Sequence, residues 1–357
     1  MFTPSRLSLA RRRRGLTKKA LAEAIGVTPH TVLRYESAEI LPSAEIVKKI
    51  SQVLNFPIEF FSGEEIDEIK GDAASFRSMA AMTAGQRDSA LAASSLAFVF
   101  NDWIEQRFDL PAVNLKDLSG EPPDVAARSL RQIWGLGERP IKNMVHLLEA
   151  RGARMFALAE NTRTVDAFSL WRREQPYIFL NQMKTPERSR LDAAHELAHL
   201  VLHKHGGPRG RRAEEEANAF ASSFLMPSAD VIAIAPRVYA LNQVVHLKRR
   251  WGVSAVALIY RLHKLNVISD WQCRMFNIQA TERGFREREE NGIDREQSAV
   301  WQMVMTALWK EKITRDHIAT ELHIPVFELD YLLFGLASDQ SRSVSDNGDG
   351  AARLRLV

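Results

Sequence analysis

The pattern of hydrophobic and polar positions divides the chain into helical segments and one short stretch of strands. Over 1–62 apolar residues recur at helical spacing between turn residues, which predicts five short helices. Residues 86–152 repeat the helical spacing, whereas 153–181 alternate with period two, as strands do. Two more helices are predicted within 187–227, and further helix as far as 336. The predicted fold class is therefore mainly α with a small β-sheet (α+β).

A length of 357 residues suggests two or three domains. The predicted order is an N-terminal domain at 1–62, a linker at 63–85, a second domain at 86–290, a helical C-terminal region at 291–336 and a disordered tail at 337–357. The second domain would contain a small sheet, expected to be antiparallel, with strands at 154–158, 165–171 and 177–181.

The segment from Thr17 to Glu36 has the rhythm of two helices joined by a turn. Thr17 is a favourable N-cap, and Gly26 supplies a turn where positive φ is easiest for glycine. Thr28 caps the next helix, with Pro29 at its first position. Two short helices joined in this way, with polar positions outward on the second, predict a helix-turn-helix.

Charge separates this segment from the rest of the chain. Residues 1–50 carry ten Lys and Arg against four Glu, a surplus of +6, whereas the whole chain has a net charge of only +4. A small basic domain on a near-neutral remainder favours nucleic acid as its partner. A solvated charged face is the alternative interpretation.

A family resemblance supports the nucleic-acid interpretation. The matching residues are Leu16-Thr17, Leu21-Ala22, Ile25-Gly26-Val27-Thr28, Val32, Arg34-Tyr35-Glu36 and Pro42-Ser43, and they resemble the XRE-type helix-turn-helix family. The resemblance implies that double-stranded DNA is bound, with helix 28–36 in the major groove. The residues expected at the DNA are Lys18, Lys19, Thr28, His30, Thr31 and Arg34.

Of these, Lys18 and Lys19 are expected to meet phosphates, together with Arg11 to Arg14, whereas His30, Thr31 and Arg34 would lie nearest the bases. Two alternatives stay open for the module. It contacts only a protein partner, or it pairs with a second copy to form a homodimer.

The clearest chemical pattern is His195-Glu196-Leu197-Ala198-His199. Two histidines four apart on a helix lie one turn apart on the same face, so both imidazoles can reach one ion. The carboxylate of Glu196 is placed to take a proton from water beside that ion. The pattern predicts a zinc hydrolase with Zn²⁺ as cofactor and Glu196 as catalytic base. A buried helix with two accidental histidines is the alternative.

A catalytic zinc usually takes three protein ligands and one water, so a third ligand is expected. The next helix begins at Glu214-Glu215-Glu216 and carries an apolar stripe, so it must pack and can return a carboxylate to the metal. Glu216 is preferred because it stands one turn before Phe220, while Glu214 and Glu215 remain rivals. Lesser candidates are His203 and His205.

A second resemblance covers this region. The stretches Pro176 to Asn181, Arg190, Ala194 to His203, Glu216 to Ala221 with Leu225-Met226-Pro227, and Leu247 to Ser254 with Ala257-Leu258 and Arg261-Leu262 resemble the ImmA/IrrE metallopeptidase family. Departures are Ala198, where the family often has glycine, and Leu191, where it often has phenylalanine. Neither changes the metal chemistry.

The resemblance implies a zincin-like zinc metalloendopeptidase in which His195, His199 and Glu216 bind Zn²⁺ and Glu196 activates water. Family members cleave a partner transcriptional repressor, often under stress or in mobile-element control. The oxyanion-stabilising group stays open among Tyr239, His203 and Arg190. The alternative function is an XRE-type transcriptional regulator whose zinc domain is a sensor or antitoxin-like module without proteolysis.

Composition narrows the setting of this activity. With 45% hydrophobic and 26% charged residues, the chain has an ordinary globular composition. No run approaches the roughly 18 apolar residues of a membrane helix, so no membrane partner is expected. The single cysteine, Cys273, excludes an internal disulfide and is typical of a reducing compartment, which predicts a cytoplasmic location.

Overall fold

The computed structural model describes residues 2–67, 83–158, 167–204, 210–285 and 287–337, together with the backbone of 355–356. The N-terminal elements are α1 (Pro4–Arg13), α2 (Lys18–Ile25), α3 (Pro29–Glu36), α4 (Ala44–Leu54) and a 3₁₀ helix (Ile58–Ser62). The fifth predicted helix is thus a short 3₁₀ segment. It follows Pro57, which cannot donate a backbone hydrogen bond.

The predicted caps explain where the helices begin. The hydroxyls of Thr17, Thr28 and Ser43 accept from the backbone N–H groups three residues later, at the starts of α2, α3 and α4. Gly26 ends α2 with φ of 77°, a left-handed conformation that costs glycine little. Local sequence therefore determines the helix-turn-helix formed by α2 and α3.

The rest of the chain continues in the order α5 (Ala84–Glu105), β1 (Phe108–Asp109), α6 (Pro123–Ile133), α7 (Met144–Ala150), β2 (Arg154–Ala157), β3 (Phe168–Arg172), β4 (Gln175–Leu180), α8 (Pro186–Leu202), α9 (Arg211–Leu225), α10 (Ser228–Ile234), α11 (Leu241–Leu247), a 3₁₀ helix (Lys248–Arg250), α12 (Ala255–Lys264), α13 (Asp270–Glu282), α14 (Ala299–Lys310), α15 (Arg315–Leu322), α16 (Val326–Leu333) and β5 (Arg355–Leu356). The α+β class predicted from the sequence is confirmed.

The sheet differs from the antiparallel arrangement predicted for it. Its strands lie in the order β2-β4-β3; β3 pairs antiparallel with β4, but β2 pairs parallel with β4. The period-two pattern identifies strands, but it carries no information about their direction. Here β4 returns from β3 as a hairpin and lies between the other two strands, so it runs parallel to β2.

Two predicted segments lie partly outside the described residues. The linker prediction includes 68–82 and the tail prediction includes 338–354 and 357, for which the structure gives no description. Strand β5, within the predicted tail, pairs antiparallel with β1. The first residues of the strand predicted at 165–171 also fall outside the described part of the chain.

The sheet separates two hydrophobic cores. Tyr177 and Phe179 of β4 point into a core shared with α1–α5 and α14–α16, whereas Ile178 and Leu180 point into a core shared with α6–α13. Alternate residues of a strand face opposite sides of a sheet, so one strand contributes to both cores. The N-terminal domain joins the core on one face of the sheet by packing on α5, whereas α8 packs directly on the other face and α9 packs on α8.

The arginines at the end of α1 are not available to phosphates in the way the sequence suggested. Arg11 is paired with Glu36 at 2.6 Å, and Arg13 and Arg14 both donate to the carboxylate of Glu328 on α16. That carboxylate is 1% exposed. The predicted phosphate contacts of these three arginines are therefore wrong, because Glu36 on α3 pairs with Arg11 and Glu328 on the distant helix α16 pairs with Arg13 and Arg14.

Replacing Glu328 with alanine is expected to lower the free energy of unfolding by about 3–5 kcal/mol, because two arginines would lose a buried partner. The matched control is Glu321→Ala, which breaks the exposed Arg107–Glu321 pair and should cost no more than about 1 kcal/mol. Urea denaturation of both variants gives the comparison. Equal midpoints would contradict a stabilising role for the buried cluster.

The length and apolar composition of a helix decide whether it can cross a bilayer. Within the described residues, no single helix combines the length and apolar composition needed to cross a bilayer. Helices α9 and α10 pass that test only when taken together, and they are bent by 55° relative to each other.

Candidate metal centre

Helix α8 positions the central histidines. Thr185 caps its first turn and Pro186 occupies the first helical position, so the helix begins where local chemistry favours it. Ala194, Leu197 and Ala198 are fully buried, which packs the helix tightly between the sheet and α9. His195 and His199 emerge together from its remaining side, and their Nε2 atoms lie 3.1 Å apart.

Helix α9 completes the cluster with Glu214. Its two carboxylate oxygens lie 3.2 Å from His195 Nε2 and 3.4 Å from His199 Nε2. Ala217 and Ala221, one and two turns further along α9, are fully buried and let the two helices approach closely. Among the described residues, His195, His199 and Glu214 form a group whose ligand atoms all lie within 4.8 Å of one another.

Glu216, the carboxylate preferred from the sequence, does not join this cluster. Its Oε2 lies 3.2 Å from His203 Nε2, and its Oε1 accepts from Arg212 at 3.1 Å. Two residues along a helix correspond to a rotation of about 200°, so Glu214 and Glu216 cannot face the same neighbours. Glu215, the other rival, pairs with Arg211 at the surface. The structure therefore replaces Glu216 with Glu214 in the candidate ligand set.

The distances within the cluster fit a tetrahedral metal ion. Bonds of about 2.0–2.1 Å in tetrahedral geometry place neighbouring ligand atoms about 3.3–3.4 Å apart. The two Nε2 atoms lie 3.1 Å apart, and each of them lies 3.2 or 3.4 Å from a different oxygen of the Glu214 carboxylate, which is close to that spacing. Two imidazole nitrogens and a carboxylate are also the donors of one common catalytic zinc site. The residues present thus fit a divalent metal and leave a fourth position open.

The electrostatics of the cluster agree with a cation site. Burial lowers the pKa of His199 to about 4, so this ring is neutral and its Nε2 lone pair is available. Burial would also lower the pKa of His195, but hydrogen bonding to Glu214 and nearby carboxylates outweigh it and raise that pKa. Burial would raise the pKa of Glu214, but both histidines hold it low. A divalent cation would therefore displace a proton from His195.

The outer nitrogens of both rings are held as well. His195 Nδ1 lies 3.1 Å from Asn218 Oδ1, and His199 Nδ1 lies 3.0 Å from His203 Nδ1. A carbonyl oxygen only accepts, so His195 carries its proton on Nδ1 whenever Nε2 binds a metal. Asn218 belongs to the Glu-Ala-Asn stretch that carried the family resemblance, but its partner could not be read from the sequence.

Glu196 lies beside the cluster and is 2% exposed. Its Oε2 accepts from the hydroxyl of Ser169 on β3 at 2.7 Å. Burial raises the pKa of Glu196 to about 7, although the charge of His195 and the hydrogen bond from Ser169 partly oppose the rise. Sequence reasoning missed Ser169. Its signal was a small polar residue between the apolar residues Phe168 and Leu170, in the buried first half of the strand.

The three candidates for oxyanion stabilisation differ in their contacts and in their exposure. Arg190 is buried and donates to the carbonyls of Trp251 and Ile141 and to the carboxylate of Glu296. These contacts commit its guanidinium away from the histidines. His203 contacts His199 from the outer side, and Tyr239 is 69% exposed. Among the described residues, therefore, none of these three candidates has a contact on the open side of the cluster.

The residues predicted to contact DNA lie on or next to α2 and α3. Lys19 and His30 are exposed, and Thr28 serves as the N-cap of α3. Lys18 lies 3.5 Å from Glu36 and Arg34 lies 3.3 Å from Glu39, both with about two fifths of the side chain exposed. Thr31 is partly buried, and its hydroxyl lies 2.9 Å from that of Thr28. These contacts leave the outer face of α3 accessible.

Comparison with known proteins agrees with both halves of this description. Residues 7–61 match the helix-turn-helix family model, and residues 148–263 match the peptidase family M78 model, described as the IrrE N-terminal-like domain. The second match includes β2 to α9 and hence all the residues of the cluster. A search of curated proteins found no match. The chain therefore carries, in this order, a segment that matches a helix-turn-helix model and a segment that matches the IrrE-like peptidase M78 model.

Proposed function

We propose that the protein is a DNA-binding zinc endopeptidase that cleaves a partner transcriptional repressor and so regulates gene expression. One observation carries the proposal: His195, His199 and Glu214 form a metal-fitting cluster beside the buried carboxylate of Glu196. A metal-dependent hydrolase needs such a pairing, because one group must hold a cation and another must accept a proton.

Each side chain then has a role in peptide hydrolysis. A bound Zn²⁺ would polarise the scissile carbonyl and acidify water. His195, His199 and Glu214 would hold the cation, and Glu196 in its ionised form would accept the proton of the attacking water. Ser169 holds the Glu196 carboxylate in place by its hydrogen bond. The same glutamate, once protonated, can return the proton to the leaving amine.

The sheet offers a place for the substrate backbone. Strand β3 lies at the edge of the described sheet. Its residue Ser169 donates a hydrogen bond to Glu196, the proposed base. An extended peptide can pair with such an edge by main-chain hydrogen bonds, which selects for an extended segment rather than a particular side chain. This supports a protein substrate with an accessible extended stretch, as a repressor linker would be.

The DNA-binding role belongs to α2 and α3. In the proposed complex α3 enters the major groove, with His30, Thr31 and Arg34 toward the bases. Lys18 and Lys19 meet phosphates, which adds affinity and salt dependence but no sequence information. With Arg11, Arg13 and Arg14 occupied by carboxylates, the phosphate contacts fall to Arg12, Lys19 and Lys18, of which Lys18 is 41% exposed and lies 3.5 Å from Glu36.

Metal removal tests the proposed function. Protein treated with a chelator is expected to lose cleavage of a repressor encoded beside it, and stoichiometric Zn²⁺ should restore the cleavage. Retardation of operator DNA should be the same in both forms, because α1–α4 contribute no residue to the metal cluster on α8 and α9. Cleavage that persists without metal would contradict the proposed role as a zinc peptidase. DNA binding that responds to Zn²⁺ without any cleavage would instead support a sensor.

A further inference from the structure

The geometry points to a further positioning device: His203 and Glu216 form a hydrogen-bonded relay that holds metal ligand His199 from behind. This inference rests on the proposed metal site and extends it. The relay runs from His199 Nδ1 to His203 Nδ1 at 3.0 Å and from His203 Nε2 to Glu216 Oε2 at 3.2 Å. In the contacts described, His203 reaches His199 through Nδ1, and neither His203 nor Glu216 contacts the Nε2 atoms that face the proposed metal.

The direction of the hydrogen bonds follows from the chemistry of imidazole. When His199 Nε2 gives its lone pair to a cation, the proton of the neutral ring must reside on Nδ1. His199 Nδ1 therefore donates, and His203 Nδ1 accepts. A neutral His203 that accepts through Nδ1 must carry its proton on Nε2, which then donates to Glu216 Oε2. Only one arrangement of protons satisfies both contacts.

The relay is also suited to this role by its position. The side chains of His203 and Glu216 are 11% and 25% exposed, so water competes only weakly for these hydrogen bonds. His203 stands at the C-terminal end of α8, one turn beyond His199, and Glu216 reaches it from the facing helix α9. A metal-binding histidine whose second nitrogen is held in this way keeps its ring orientation and tautomer.

Helix α9 thereby serves both histidines. Asn218 holds His195 directly, Glu216 holds His199 through His203, and Glu214 lies between the two Nε2 atoms. Glu216 thus keeps a connection with the metal site, although it contributes no ligand atom. Its carboxylate strengthens His203 as a partner, because a hydrogen bond to a charged acceptor is stronger than one to a neutral group.

Zinc affinity, measured by competition with a chromogenic chelator, tests the relay without relying on peptidase activity. His203→Leu removes both hydrogen bonds and is expected to weaken Zn²⁺ binding by about 10- to 100-fold. His203→Asn places a carbonyl oxygen near the former Nδ1 and should limit the loss to about tenfold or less. The absorption spectrum of the Co²⁺-loaded protein should shift in His203→Leu and return toward wild type in His203→Asn.

Glu216→Ala keeps the folded helix and tests the outer half of the relay. It is expected to weaken Zn²⁺ binding by about tenfold in the wild-type background and to have no further effect in His203→Leu. Glu215→Ala is the matched control, since Glu215 lies next along α9 and pairs only with exposed Arg211. Its affinity should equal that of the wild type.

The outcomes separate the relay from the metal site itself. Wild-type protein that binds no Zn²⁺ would overturn the proposed function and, with it, this inference. Wild-type protein that binds Zn²⁺ while His203→Leu and Glu216→Ala bind equally well would overturn the relay alone. If His203→Leu does not fold, as judged by DNA retardation and thermal unfolding, His203→Asn and Glu216→Ala still decide the question.

Discussion

Replacing Glu196 with glutamine is expected to lower the rate of repressor cleavage by about 10²- to 10⁴-fold, the usual contribution of general acid–base catalysis. The amide has nearly the same shape as the carboxylate and still accepts from Ser169, but it cannot take a proton from water. Zinc affinity and operator binding should remain at their wild-type values. Cleavage assays on purified protein, with both binding measurements alongside, provide the test.

The pH dependence of cleavage provides a second test of the role of Glu196. Only the ionised carboxylate can act as base, so activity should rise with pH through the pKa of Glu196. Burial raises that pKa to about 7. A nearby dication favours the ionised form and moves the acidic limb of kcat/KM below that value. Glu215→Gln, which changes an exposed carboxylate on α9, should leave the profile unaltered. A Glu196→Gln variant with near wild-type cleavage would show that another group accepts the proton.

Replacing Glu214 with alanine is expected to weaken Zn²⁺ binding by more than about 100-fold, beyond the loss expected for outer partners of the ligands. The carboxylate contributes the third ligand atom and a negative charge, and alanine leaves two imidazoles alone. Chelator competition measures the loss, and cleavage should fall with it at limiting zinc.

The comparison with Glu216→Ala decides which glutamate completes the site. Glu214 contacts both Nε2 atoms, whereas Glu216 contacts His203 and Arg212, so the loss should be much larger for Glu214→Ala. The reverse order would return Glu216 to the ligand set and move Glu214 to a supporting role. Unfolding of the metal-free variants serves as the control, because neither substitution should prevent folding.

Much of the site could be predicted because its main relation is local. A spacing of four places His195 and His199 on one face of any α-helix, whatever packs around it. The caps Thr17, Thr28, Ser43 and Thr185 act on N–H groups three residues away, so helix starts could also be read along the chain. Such interactions depend on backbone geometry that every helix shares.

Contacts between residues of different helices and strands could not be predicted in this way. The arginines of α1 have a basic, outward pattern in the sequence, but Glu328, more than 300 residues away, takes up two of them. Ser169 becomes the partner of Glu196 only because β3 lies against α8. The pairing of β2 with β4 depends likewise on the order of strands in the folded sheet.

The paired histidines, the glutamate between them, the helix-turn-helix and the helical framework could be predicted from the sequence, since each depends on residues a few positions apart. The folded chain was needed to show that Glu214 contacts His195 and His199, whereas Glu216 contacts His203. These two glutamates have the same chemistry and nearly the same position along the chain. The rotation of α9 against α8, set by the packing of buried residues such as Ala217 and Ala221, distinguishes them.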